Sequence, residues 1–362
     1  MTETLACAIV GTGDVARLHA EAVRAHPHAR LAAVTNQTRS KAEAFAERWG
    51  HPAVYDTLDE LLAAEHPDVV IICTPPGVHR AQTLASFAAG AHVLLEKPAA
   101  LSLGELDDMR AAATAANREL AIVFQQRTGT AAAHVRGLLQ SGALGRPLLA
   151  QCQTLWYRDA DYFAVPWRGT WQSEGGGTTL GHGIHQIDLL AYLLGDWTAV
   201  RAQLWRLDRD TQTEDASTAT VVFEGGVVAQ VVSSAVSPRQ ASALRIDTQR
   251  ATVTLDHLYG HGHSHWRITP APGVPDEEVA AWALPEREEA SGHAVLVRDV
   301  LDALVAHAPL PSTAADPLRS FELVTAMYAS ARADGTTVVP ADLADAALRR
   351  RGFEAPVADL RR

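Results

Sequence analysis

The chain is poor in cysteine. Cys7, Cys73 and Cys152 are far apart and form no Cys-x-x-Cys pair, which excludes a disulfide framework and a dithiol redox motif. Two of them sit inside apolar, strand-like runs, as buried free thiols do, and unpaired thiols imply a cytoplasmic location. No apolar run approaches the roughly 20 residues that span a bilayer. A basic leader and a signal-like apolar core are also missing, so Leu5 reads as the true start of the fold. Basic residues are outnumbered: 31 Lys and Arg against 42 Asp and Glu give a formal charge of -11. That balance excludes a general affinity for nucleic acid or an anionic membrane. It leaves room for an anionic small substrate, because a few arginines reverse the field inside a cleft. With 47% hydrophobic and 20% charged residues, the composition is that of an ordinary globular chain. Its 362 residues suggest two domains, or one domain with a large companion.

What is present begins at once. Leu5–Val10 is a continuous apolar run, the signature of a strand buried on both faces of a parallel sheet. It leads into Gly11-Thr12-Gly13-Asp14-Val15-Ala16 and a helical pattern from Ala16 to about Ala25. This is the dinucleotide fingerprint in its Gly-x-Gly-x-x-Ala form. Gly11 permits the tight turn, Gly13 lets the backbone approach a pyrophosphate, and Ala16 allows close helix–strand packing. The helix N-terminus offers N–H groups and a positive dipole end to the phosphates.

A second strand, Leu31 to Thr35, ends where a Rossmann fold selects its cofactor. The carboxylate that would hold the adenosine ribose hydroxyls is missing, and Asn36-Gln37-Thr38-Arg39-Ser40-Lys41 stands in its place. Asn36, Gln37 and Arg39 therefore read as cofactor contacts that favour NADP(H) over NAD(H). The competing reading has Arg39 and Lys41 opening the next helix on its solvated side. Asp68–Cys73 is another buried strand and ends in Thr74-Pro75-Pro76-Gly77-Val78-His79, followed by a helix to about Ala89. The strand His92–Leu95 ends in Glu96-Lys97-Pro98. Strand and helix alternate to about Phe124, which predicts a doubly wound parallel sheet. Both clusters fall at carboxyl ends of strands, where such sheets bind ligands. From Leu148 the pattern changes: Leu148–Trp156, Val200–Leu207, Ala219–Phe223 and Val227–Ser233 read as meander strands, with Glu224-Gly225-Gly226 as a hairpin turn.

The Gly-x-Gly-x-x-Ala loop, the Thr-Pro-Pro-x-x-His turn and the Glu-Lys-Pro turn resemble the glucose–fructose oxidoreductase, inositol dehydrogenase and rhizopine-catabolism group (Gfo/Idh/MocA). The resemblance continues through Gln126-Arg127, Gly145-Arg146-Pro147, Trp167-Arg168-Gly169-Thr170-Trp171, Glu174 to Gly177 and Gly183 to Leu190, and ends in helices within His293 to Val339. It implies a Rossmann domain over 1–125 and an α/β domain over 126–340 whose large, mostly antiparallel sheet builds the substrate site and a homo-oligomer, dimer or tetramer. Residues 341–362 form an extension, expected as one helix from Ala341 to Arg351. NAD(P) is the implied cofactor, contacted by Gly11 to Val15, the Asn36 segment, Thr74, Pro75, His79, Glu96, Lys97 and Gln126. The implied partner is a carbohydrate or polyol.

Oxidising a secondary alcohol needs a proton acceptor at the hydroxyl. Lys97 is suited to hydrogen-bond the alcohol oxygen and stabilise alkoxide charge. His185 is suited to take the proton near neutral pH. Asp188, three residues on and on the same helical face, is placed to fix the ring tautomer. The resemblance gives His185 as general acid/base and Asp188 as lying near substrate. The chain departs from many relatives four residues before His185: Gly181 stands where they carry Asp, and His182 follows it. Trp156, Tyr157, Tyr162, Trp167 and Trp171 surround Arg158 and Arg168, and aromatic faces with arginines suit a sugar. Tyr157, Trp167, Arg168, His182 and Asp188 are thus the substrate-binding candidates, with core packing as the competing role for the aromatics. Metal sites at His182/His185/Asp188 or at His261, His263 and His265 are the weaker reading, and no metal is expected. Two other functions stay open: glycoside cleavage through transient oxidation by a retained cofactor, and a cofactor-binding regulator without turnover.

Overall fold

A strand buried on both faces has no room for polar side chains, and β1 (Leu5–Val10) carries none. In the computed structural model, which describes residues 4–311 and 318–361, Ala6 to Val10 are all buried. β1 pairs in parallel with β2 (Ala29–Thr35) and β4 (Val69–Ile72). With β3 (Ala53–Tyr55), β5 (His92–Leu95) and β6 (Leu120–Ile122), they form a six-stranded parallel sheet in the order β3-β2-β1-β4-β5-β6. The crossovers are α1 (Ala16–Ala25), α2 (Arg39–Arg48), α3 (Leu58–Glu65), α4 (His79–Ala88) and α5 (Leu103–Ala116). Local chemistry sets their ends: the Thr57 and Ser102 hydroxyls cap α3 and α5, each accepting an N–H bond at 3.2 Å.

Contacts divide the chain into two units: Met1–Phe124 with His293–Pro317, and Gln125–Gly292 with Leu318–Arg362. The helix His293–Val305, which the sequence division left in the second domain, packs on α1 of the first. Its Leu296, Val297, Val300, Leu301 and Leu304 recur at helical spacing and share one core with Ala16, Ala20 and Val23. Each such aliphatic side chain contributes about 1.5–3 kcal/mol when fully buried. The small residues of α1 let the helices approach closely.

The second unit is built on an eight-stranded mixed sheet. Its strands are β7 (Pro147–Tyr157), β8 (Trp197–Arg206), β9 (Ala216–Phe223), β10 (Val228–Ser234), β11 (Val236–Thr248), β12 (Ala251–Asp256), β13 (Trp266–Pro270) and β14 (Ala358–Asp359), ordered β13-β12-β11-β7-β10-β9-β8-β14. The turn Glu224–Gly226 joins β9 to β10 as an antiparallel hairpin, with Gly225 and Gly226 both at positive φ. A simple meander is not what forms. β7 inserts between β11 and β10 and pairs in parallel with β10, because the chain makes a helical excursion before β8. Burial alternates along β7, with Ala150, Cys152, Thr154 and Trp156 inward. The helix Leu318–Arg332 lies against β8, and of α6 (Thr130–Gln140), α7 (Ala160–Phe163) and α8 (Ile184–Leu194) the last lies against β7. The single terminal helix expected over 341–351 is broken. A 3-10 turn (Pro340–Ala344) and a short helix (Ala346–Arg350) are separated by extended Asp345, whose carboxylate caps Ala347 N–H at 2.9 Å. The tail then adds β14 in parallel beside β8, with Arg206 and Asp359 paired at 3.0 Å.

Candidate active site

The fingerprint loop turns where β1 meets α1. Gly11 has φ +87°, and a Cβ there would lie 3.0 Å from the Cys73 carbonyl, so backbone conformation and space both demand glycine. A Cβ on Gly13 would meet nothing within 4 Å, which leaves the backbone open to a ligand. No side chain caps α1, whose N-terminus follows directly on this loop. A dinucleotide pyrophosphate fits this cradle. Thr12 N–H donates to Asn36 Oδ1 at 3.2 Å, tying the loop to the end of β2, while Asp14 and Gln37 are exposed. Arg39 is exposed and paired with Glu43 at 2.8 Å and Asp56 at 2.7 Å.

At the end of β4, Thr74 and Pro75 are half-buried and the Thr74 hydroxyl donates to Gln82 at 2.6 Å. His79 is fully buried, with Nε2 2.7 Å from the Thr74 carbonyl and Nδ1 3.1 Å from that of Pro98. It joins the two turns from beneath. Glu96 is buried as well. Its carboxylate lies 2.8 Å from His19 Nε2 and 3.2 Å from His293 Nε2, and it accepts the Lys97 N–H at 3.2 Å. Burial alone would raise the Glu96 pKa, but the hydrogen bonds from His19 and His293 hold it well below the usual carboxylate range. Burial pushes the His19 pKa down. Lys97 is half-buried immediately after this group. Neither His19 nor His293 carries a sequence signal for this cluster; 274 positions separate them, and only the packing of His293–Val305 on α1 unites them.

In the second unit the glycine run reflects close approach. A Cβ on Gly177 would lie 1.9 Å from the Glu214 carbonyl oxygen. Glu214, whose pKa burial raises, accepts N–H bonds from Gly177 and Thr179 at 3.1 and 3.0 Å and the Tyr328 hydroxyl at 2.7 Å. These bonds anchor a π-helical turn, Thr179–Gly183, that enters α8 and carries His182. Such turns are frequent at functional sites. His182 and His185 both pack on Trp156, with ring centroids 5.0 and 6.1 Å away. The Trp156 indole donates to Ser242 at 3.0 Å. Tyr259 completes the cluster, 5.1 Å from Trp156 and 6.0 Å from His185. Sequence reading missed Tyr259, since nothing local marks a lone tyrosine before a His-rich loop.

Asp188 has a partner the sequence did not indicate. It forms a buried bidentate pair with Arg127, including Nε to Oδ2 at 2.7 Å, and accepts the Ser320 hydroxyl at 2.5 Å. Gln126 is buried and accepts from Gln186. Tyr157 follows Trp156 on β7 and projects to the opposite sheet face, where Arg209 lies 5.0 Å over its ring. Arg168 stacks on Tyr162 at 3.5 Å and Trp167 at 4.9 Å. The carboxylate absent from position 181 has a neighbour in space: a Cβ on Gly181 would stand 3.7 Å from Glu174 Oε1. Glu174 is buried and accepts the Gly169 N–H at 2.6 Å. The His-rich loop disperses. His261 Nε2 lies 3.2 Å from the His257 carbonyl, His263 is 2.6 Å from Thr130, and His265 stacks on His257.

One unit shaped to carry a nicotinamide dinucleotide, and another presenting imidazoles among aromatic faces, define a dehydrogenase or reductase that works on CH–OH groups. Residues 5–124 match the oxidoreductase family with an NAD-binding Rossmann fold, and residues 132–257 match the GFO/IDH/MocA C-terminal domain. The chain belongs to the Gfo/Idh/MocA family. The D-glucoside 3-dehydrogenase of Escherichia coli (strain K12) is 30% identical over 281 residues, covering 70% of this chain and 78% of that protein. The dTDP-3,4-didehydro-2,6-dideoxy-alpha-D-glucose 3-reductase of Streptomyces violaceoruber is 30% identical, over 80% of this chain and 89% of that one. The WlbA dehydrogenase of Bordetella pertussis, solved with NADH and UDP-GlcNAcA, superposes with a TM-score of 0.83 at 25% identity, covering 93% of this chain and 98% of that chain. No helix among the described residues is long and apolar enough to cross a membrane.

Proposed function

We propose that the protein transfers a hydride between NAD(P) and carbon 3 of a pyranose or pyranoside. The observation that carries this reading is the Trp156, His182, His185 and Tyr259 cluster: aromatic faces suited to sugar C–H surfaces beside an imidazole suited to proton transfer. Carbon 3 is the position named for both the glucoside dehydrogenase and the dTDP-sugar reductase relatives. Bound nicotinamide supplies the hydride acceptor. Of this chain's residues, Lys97 hydrogen-bonds the alcohol oxygen and stabilises its developing negative charge, and His185 receives the hydroxyl proton, returning it in the reverse direction. Glu96 holds the Lys97 backbone in place through its N–H. Asp188 supports the site from behind through Arg127.

The Asn36 amide at the ribose position, with no carboxylate to repel a 2′-phosphate, supports NADP(H) binding at least as tightly as NAD(H). The exposed Arg39 pairs are weak, solvent-screened contacts that yield to a phosphate. Apolar Leu149 and Tyr157, exposed on the outer side of β7, support a homo-oligomer through the second sheet, and the three free thiols suit a reducing cytoplasm. A screen of pyranosides, cyclitols and polyols with both cofactors, read by nicotinamide reduction, tests the central claim. Lys97→Met and His185→Gln should each lower turnover by roughly 10²–10⁴-fold while retaining cofactor binding. Unchanged turnover in either variant refutes its assigned role.

A further inference from the structure

Arg158 follows β7 directly and is half-buried beside the imidazole cluster. Its guanidinium lies 4.9 Å from the Trp156 ring centroid and 5.3 Å from that of Tyr162. Nε donates to His182 Nε2 at 3.3 Å, and Nη1 donates to the Tyr157 carbonyl at 2.8 Å and to Gln240 Oε1 at 3.2 Å. Every one of these acceptors is uncharged. Among the described residues no carboxylate is ion-paired with Arg158, although acidic residues outnumber basic ones in the chain. Because arginine only donates, His182 Nε2 is the acceptor in that contact, and the Tyr162 hydroxyl lies 3.2 Å from the same nitrogen. A second cation converges on the same ring, Arg168 at 3.5 Å from the Tyr162 centroid. Burial lowers the Arg158 pKa, and the neighbouring Asp159 carboxylate acts against that shift without forming an ion pair with the guanidinium.

A guanidinium whose hydrogen-bond acceptors are neutral and which is flanked by aromatic planes, with Nη2 engaged in no hydrogen bond among the described residues, is arranged to receive an anion. We infer that the substrate of this site carries an anionic oxyacid group, a carboxylate or a phosphate, which Arg158 reads while His182 and Gln240 fix the orientation of the guanidinium. The inference rests on the sugar-oxidoreductase reading for the site's location and adds charge selection to it. His182 thereby becomes a positioning residue for Arg158.

The test uses the full chain loaded with NAD+ or NADP+ and three probes: methyl glucuronide, glucose 1-phosphate and neutral methyl glucoside. Calorimetry measures binding and nicotinamide absorbance measures turnover. One or both anionic probes should bind roughly 10–100-fold more tightly than the neutral one, the size of a charge-assisted hydrogen bond, and the two anionic arms separate carboxylate from phosphate. Arg158→Gln should erase that preference, Arg158→Lys should restore part of it, and thermal melts of both variants confirm folding. Equal binding of all three probes by the wild type, or a preference that survives Arg158→Gln, overturns the inference. Turnover of the neutral pyranoside without anion preference would leave the oxidoreductase reading intact and sink only this one. Selective anion binding that depends on Arg158, with no nicotinamide reduced for any sugar, would uphold charge selection and sink the other.

Discussion

Replacing Asp188 by Asn separates two roles for this carboxylate. If it orients the His185 ring, as its place one helical turn on suggested, losing its charge costs about 10⁴ in kcat, as for other base-orienting carboxylates. The geometry argues for another role. The Asp188 and Arg127 side chains are only 1% and 5% exposed, and they pair bidentately with Ser320 as a third partner. Asn keeps the volume and removes the charge, taking from a buried guanidinium the carboxylate it pairs with. Breaking a buried pair in this way costs about 3–5 kcal/mol. At roughly 2–4 °C per kcal/mol for a unit of this size, the melting temperature should fall by roughly 6–20 °C. Replacing both partners by apolar residues, Arg127→Met with Asp188→Leu, should recover most of the loss, since desolvation of the ions is then no longer required. Calorimetric melts of the wild type, the single variant and the double variant give the comparison. Kinetics well below the melting range should show Asp188→Asn losing less than about 10-fold in kcat. A variant that melts with the wild type yet loses about 10³–10⁴ in kcat would refute the reasoning and return Asp188 to the chemistry.

Installing Asp at Asn36 should shift the preference toward NAD(H), by fluorescence titration of both cofactors, because a carboxylate there accepts the ribose hydroxyls and repels a 2′-phosphate. A wild type that already prefers NAD(H) would defeat the NADP(H) proposal. Burial of His261 moves its pKa from 6.5 down to about 4. A base with a lowered folded pKa takes up its proton preferentially when unfolded, so its contribution is full above about 6.5 and is lost as pH falls toward about 4, up to about 3 kcal/mol. His261→Gln should flatten the stability curve over that window in denaturant titrations. An unchanged slope would show that the ring is hydrated and protonates freely in the folded protein.

The first sheet was legible because its signals are local. Continuous apolar runs, Gly11 at positive φ and turns at strand ends are read over a few residues, and His92–Leu95 and α1 form with the bounds expected of them. The second sheet was legible only in part. Burial alternates along β7 and the Gly225-Gly226 turn closes its hairpin, but which strand neighbours which is a non-local choice, and β7 pairs with β10 and β11 instead of following chain order.

The amino-acid sequence by itself determined the cofactor loop, the two clusters at strand ends and the imidazoles before and within α8, because each requires particular residue types at fixed short spacing. Tertiary structure alone decided the partners of the charges. Arg127 pairs with Asp188, His19 and His293 meet on Glu96, Glu174 stands beside the bare Gly181, and Tyr259 joins Trp156. The reason is physical: a buried charge or ring is satisfied by whatever packing brings within 3 to 6 Å, and that distance bears no relation to separation along the chain.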